Sequence, residues 1–124
     1  MRLPRQALAV AFGLAAITTP AAADDAKGEI RIGQTLPYSG PVSGFGIIGR
    51  AQEAYFAKVN AEGGINGRKV KFISLDDAYS PPKTVEQTRK LVEQEEVQLM
   101  FGSLGTATNN AVHRYLNNKK VPQL

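Results

Sequence analysis

The chain has 124 residues and no cysteine, with 15 Lys and Arg against 11 Asp and Glu, and 43% hydrophobic against 21% charged side chains. That balance excludes a disulfide-stapled scaffold and a disordered tail, and describes an ordinary folded protein. Its basic residues form no stripe interleaved with aromatics, so no nucleic-acid partner is expected.

The first stretch reads MRLPRQALAVAFGLAAITTPAAADD. Arg2 and Arg5 make a basic start, residues 7–17 are apolar, and residues 21–23 are three alanines, which together predict a secretory signal peptide over residues 1–23. A membrane anchor would need roughly 20 apolar residues, and Pro20 interrupts this run too early. Removal of the signal leaves 13 basic and 11 acidic side chains, a net charge of +2. With no cysteine available for lipid attachment, the expected location is the periplasm of a two-membrane bacterium. The mature segment, residues 24–124, is then the unit that folds.

In EIRIGQTL, residues 29–36, Ile30, Ile32, Gln34 and Leu36 share one side of a strand. A long loop, LPYSGPVSGFG, leads to a helix over about residues 48–62, with Ala51, Ala54, Tyr55 and Val59 as its expected apolar stripe. Gly63 and Gly64 stop it, and a second strand is expected over about residues 69–75. After Asp76 and Asp77, Ser80 followed by proline reads as an N-cap, and Val85, Thr88, Leu91 and Val92 line the buried side of the second helix. VQLMF, residues 97–101, suits a strand covered on both faces. A third helix follows over about residues 107–118, with Ala111, Val112, Tyr115 and Leu116 inward, and residues 121–124 look like the start of a fourth strand. The order β-α-β-α-β-α-β predicts an α/β fold, a doubly wound parallel sheet with helices on both faces. Such a sheet grows outward from its middle, so the edge next to the fourth strand is expected to be unfinished and the chain to be a truncated one.

Residues 44–49 read GFGIIG, a literal G-x-G-x-x-G. In a dinucleotide fold the triplet directly follows the first strand, and an acidic residue stands about 20 positions further on. Here Gly44 comes eight residues after Leu36, and the downstream segment from Arg68 to Lys71 is basic. Both tests fail, so no nucleotide cofactor is expected and an NAD-dependent oxidoreductase is the least favoured reading. The loop itself is longer than most strand-to-helix connections. Loops at the carboxyl ends of parallel strands are where open α/β sheets bind ligands, and Phe45 stands in the middle of this one, on a lip that its glycines would leave mobile.

GSLGTATNN, residues 102–110, is a second loop of this kind, with hydroxyls and backbone N–H groups at the start of a helix. Such a helix start suits a carboxylate, although Thr106 or Thr108 could equally serve only as an N-cap. No catalytic set competes: the single histidine, His113, falls on the polar side of the third helix, and no His or Cys spacing suggests a metal site. Neither enzymatic activity nor a metal is expected.

Taken together, IRIGQTLPYSGPVSGFG, NAEGGINGRKV, DDAYSP and GSLGTATN, in that order, resemble the periplasmic leucine/isoleucine/valine-binding receptors of branched-chain amino acid ABC importers. The resemblance covers residues 29–124. It implies two α/β lobes closing on a small ligand, with only the first part of lobe one present here. It also implies an extracytoplasmic binding protein that acts as a monomer and delivers an amino acid or related carboxylate to an ABC permease in the inner membrane. An amide or aromatic-acid receptor, or a ligand-sensing regulator, would share the fold.

Carried over onto this sequence, the resemblance implies that Phe45 lies against the ligand side chain and Thr106 binds the ligand carboxylate. Leu104 and Gly105 would contribute backbone, with Thr108 close by. Some members carry a disulfide between the second and third loops, where this chain has Tyr79 and Gly105.

Overall fold

The computed structural model describes residues 28–124, so the predicted signal peptide lies outside the described residues. Strand β1 (Ile30–Leu36) is central and pairs in parallel with β2 (Val70–Asp76) on one side and β3 (Leu99–Met100) on the other. The sheet order is therefore β2-β1-β3. The β1–β2 register runs from Ile30 opposite Val70 to Leu36 opposite Asp76. The third strand is shorter than predicted in formal pairing, yet Gln98 and Phe101 on either side of it also donate their N–H groups to β1, to Arg31 and Gly33. Residues 121–124 extend the sheet as expected: Met100 bridges Gln123 in parallel, and Leu124 N–H donates to the Met100 carbonyl at 3.0 Å.

The two faces of the sheet are built differently. Helix α1 (Gly46–Ala61) covers one face, and α2 (Pro81–Glu93) and α3 (Thr106–Lys119) cover the other. The second face holds the main core, in which Leu91, Val97, Met100, Val112 and Leu116 are buried together with Ile73, Leu75 and Val85 packed against them. Leu91 and Leu116 are 0% and 1% exposed, so each gives close to the full ~1.5–3 kcal/mol of a buried aliphatic side chain. Gly33 is the β1 residue facing this core, because a Cβ there would stand 2.9 Å from the Met100 sulfur.

On the first face, the strand residues predicted to share a side do so. Gln34 meets Gln52 of α1, Leu36 lies under Gly49, and Phe72 of β2 packs on Phe56 at a ring-centroid separation of 5.1 Å. The predicted stripe of α1 is corrected. Ala51, Ala54 and Tyr55 are exposed, Tyr55 at 63%, while Gly46, Gly49, Gln52, Phe56 and Val59 form the inward side. Of the expected stripe only Val59 turns inward; the helix start lies so close to β1 that Gly46, Gly49 and Gln52 occupy its buried side there, and Phe56 packs on Phe72 and Phe101 further along. In α3, Ala111 is likewise exposed, and Val112 and Leu116 carry the packing.

The start of α2 also differs from expectation. Ser80 holds the N-cap position without a side-chain cap hydrogen bond. Asp77, fully buried, instead anchors the approach to the helix: its carboxylate accepts from Tyr79 N–H at 2.9 Å and from the Thr84 hydroxyl at 2.9 Å. No helix among the described residues is long and apolar enough to cross a membrane.

Candidate functional site

Three loops meet at the carboxyl ends of the parallel strands: residues 37–45 after β1, 77–80 after β2 and 101–105 after β3. Two polar strand residues, the partly buried Asp76 and the buried Gln34, fix them.

Asp76, the last residue of β2, ties the first two loops together. One carboxylate oxygen accepts from the N–H groups of Tyr38, Ser39 and Ala78 at 2.9–3.0 Å. The other accepts from the Ser39 hydroxyl at 2.6 Å and from Lys83 Nζ at 2.8 Å. Partial burial alone would raise the pKa of this carboxyl, but the bonds from Lys83, Ser39 and Ala78 outweigh it and hold the pKa well below the usual carboxylate range. Asp76 is therefore an anion with its acceptor capacity filled, and it serves as a brace.

The first loop is less free than its glycines suggest. Residues 43–45 form a 3-10 turn that runs directly into α1, which starts at Gly46 rather than Ile48. Tyr38 lies beneath this junction with its hydroxyl 2.6 Å from Ser74 Oγ. A Cβ on Gly46 would stand 2.8 Å from the Tyr38 ring, and one on Gly49 would meet Leu36 Cδ1 at 2.8 Å. These two glycines of GFGIIG permit close helix-to-strand packing. Only Gly44 borders open space.

Gln34, fully buried in the middle of β1, fixes the third loop. Its amide nitrogen donates to the carbonyls of Phe101 and Gly102 at 3.0 and 2.9 Å and to Gln52 Oε1 at 2.5 Å, and its oxygen accepts from Ser74. Thr35 N–H donates to Ser103 Oγ at 3.1 Å, and Asn109 Nδ2 donates to the Ser103 carbonyl at 3.1 Å.

Where the loops converge they leave a concavity of about 460 Å³ lined by Val42, Phe45, Tyr79, Leu104, Gly105, Thr106 and Asn109. Its size is that of a small-molecule site. Four of the five residues singled out in the sequence, Phe45, Leu104, Gly105 and Thr106, are brought together here. Thr108 lies beneath them, fully buried, with its hydroxyl donating to the carbonyls of Leu104 at 2.6 Å and Gly105 at 2.9 Å. Gly105 occupies the N-cap position of α3 with φ 109°, no side chain caps the helix, and no acidic residue sits in its first turn. The N–H groups of Thr106, Ala107 and Thr108 thus have no intrahelical acceptor, and the positive end of the helix dipole faces the concavity. The sequence reasoning missed Val42, Asn109 and above all Tyr79 as lining residues. Its only signal was the pairing of Tyr79 with Gly105 across two loops.

A second, apolar groove of about 530 Å³ runs along the α1 face beside β3, lined by Ile32, Tyr55, Phe56, Leu99, Phe101 and Leu124 among others. Its one amide, Gln52, is committed to Gln34. It offers no convergent polar groups, so the concavity between the loops is the better candidate. Among the described residues no cluster of three or more His, Cys, Asp or Glu could hold a metal ion.

The family model described as periplasmic binding protein matches residues 29–124. The chain belongs to this family. The chain is 31% identical over 114 residues to the Leu/Ile/Val-binding protein homolog 7 of Brucella abortus, covering 91% of this chain and 28% of the relative. It is 35% identical over 80 residues to an amino acid binding protein of Pseudomonas aeruginosa, covering 62% of this chain and 21% of that one. Among solved structures, a possible leucine/isoleucine/valine-binding protein from Rhodopirellula baltica superposes with a TM-score of 0.73 at 29% identity, covering 83% of this chain and 28% of the other. A type 1 periplasmic binding protein from Bordetella pertussis superposes with a TM-score of 0.69 at 31% identity, over 77% and 26%. The chain thus spans 21–28% of the length of these relatives.

Proposed function

We propose that this chain forms part of the first lobe of an extracytoplasmic solute-binding protein that captures a small carboxylate-bearing molecule, such as an amino acid, for an ABC importer in the inner membrane. The observation that carries this reading is the meeting of the uncapped α3 start, the exposed Thr106 and the half-exposed Phe45 in one concavity at the strand ends. The N–H groups of the first turn and the Thr106 hydroxyl are donors suited to a carboxylate, and Phe45 is an apolar wall for the rest of the ligand. Thr108 holds the carbonyls of Leu104 and Gly105, and the Leu104 N–H is spent on the Thr35 carbonyl, so the donors available are those of the α3 start. Capture would be a closure equilibrium shifted by ligand, with no bond made or broken. The relatives described as Leu/Ile/Val-binding and amino acid binding support the ligand class.

The test is calorimetric titration of the protein, expressed from its complete reading frame, with amino acids and simple organic acids. Thr106→Val is expected to weaken carboxylate binding by about tenfold, the worth of a hydrogen bond to a charged group, while Thr106→Ser retains it. The absence of binding to any carboxylate would sink the reading.

A further inference from the structure

Resting on that reading of the cleft, we propose that Tyr79 is a specificity-determining residue: with Phe45 it gives the cleft two aromatic walls, which select carboxylates bearing a planar aromatic group over branched aliphatic ones.

Three independent features support this. Tyr79 lines the same concavity as Phe45 and Thr106, and the two rings are 41% and 50% exposed there. No hydrogen bond to its hydroxyl occurs among the described residues, as at the exposed Tyr55 and unlike Tyr38 and Tyr115, whose partners are Ser74 and Glu93. The phenol is therefore free to meet a ligand.

The second feature is backbone conformation. Ala78 and Tyr79 are consecutive non-glycine residues in the left-handed region, with φ 50° and 60°. Such residues are uncommon, and bulky ones are genuine outliers. Here each is held by an aspartate two residues back, since Ala78 N–H donates to Asp76 and Tyr79 N–H to Asp77. Two buried or partly buried carboxylates thus fix a conformation that an isolated chain would avoid. Strain maintained in this way points to a use for the side chain it presents. The ring is turned over Gly105, at the floor of the cleft.

The third feature is the chemistry of the lining. Val42 and Leu104 add apolar surface, and no carboxylate lines the concavity. The donors to Asp76 and Asp77 occupy both aspartates. An aromatic ring gains edge or face contacts against Phe45 and Tyr79 that a branched alkyl group does not.

The test compares phenylacetate, phenylalanine and leucine by calorimetric titration of the protein from its complete reading frame, in wild type, Tyr79→Leu and Tyr79→Phe. Wild type is expected to bind the two aromatic ligands more tightly than leucine. Tyr79→Leu, which keeps bulk over Gly105, should lower aromatic affinity about three- to tenfold, the range of an aromatic pair, and change leucine affinity less than twofold. Tyr79→Phe should retain the aromatic preference. Equal losses for all three ligands with an unchanged melting temperature, or a wild-type preference for leucine, would overturn the role of Tyr79 and leave the binding function standing. Loss of folding in Tyr79→Leu would shift the decision to Tyr79→Phe and the wild-type ranking, which read out the same preference. Failure of all three ligands and of every other carboxylate to bind wild type would overturn both proposals.

Discussion

The ring of Tyr79 lies over Gly105 so closely that a Cβ on the glycine would stand 2.6 Å from Tyr79 Cε2 and 2.5 Å from the Thr108 hydroxyl oxygen. Gly105 also has φ 109°, a conformation that L side chains rarely adopt. Gly105→Ala should therefore combine backbone strain with overpacking and lower unfolding stability by about 2–4 kcal/mol. Adding Tyr79→Ala should recover part of the packing loss and none of the strain. Denaturant melts of both variants check this, and a neutral Gly105→Ala would show that the loop can rearrange.

The glycines of GFGIIG should separate sharply on substitution. Gly49→Ala meets Leu36 and Tyr38 at the α1–β1 contact and is expected to cost about 1–3 kcal/mol. Gly44→Ala faces open space with no positive φ and should change stability by no more than about 0.5 kcal/mol. Thermal melts that rank the two the other way would contradict the packing role assigned to Gly49.

Thr88 is fully buried in α2, and its hydroxyl oxygen has no hydrogen-bond partner among the described residues. Thr88→Val keeps the shape and removes the unmatched polar group, so it should stabilise the protein by about 1 kcal/mol. A rise in the urea midpoint at constant slope is the expected signature.

Asp76 gives the pH dependence its sign. Its folded pKa lies below the unfolded value of 3.8, so its contribution is fully present above about pH 4–5 and fades as pH falls through the folded value. Asp76→Asn keeps one oxygen acceptor but loses the other and the charge opposite Lys83, and should cost about 1–2 kcal/mol at neutral pH. Below pH 4 the difference between variant and wild type should narrow. A gap that stays constant down to pH 2 would mean that the ionised carboxylate is not what braces the two loops.

The parts of the fold that were legible in the sequence are those governed by apolar periodicity. Ile30, Ile32, Gln34 and Leu36 share a face as the alternation implies, and residues 121–124 add to the sheet where a fourth strand was expected. The stripe of α1 differs because the first turns of the helix meet the sheet through Gly46, Gly49 and Gln52, residues that carry no hydrophobic signal, with Phe56 taking the apolar contact further along, while Ala51, Ala54 and Tyr55 mimic a buried stripe. Within the site, Phe45 and Thr106 stood out because one is an aromatic in a glycine-rich loop and the other a hydroxyl at a helix start. Tyr79 did not, because its orientation depends on left-handed backbone at two residues, set by Asp76 and Asp77 and by no glycine.

Tyr38 beneath Gly46 and Gly49 has a thermodynamic consequence for anything that docks above it. A segment already anchored by Asp76, Ser74 and the start of α1 has little configurational entropy left to surrender when a solute arrives. The ordering penalty that usually erodes the affinity of loop-built sites is incurred once, during folding, and not again at each encounter.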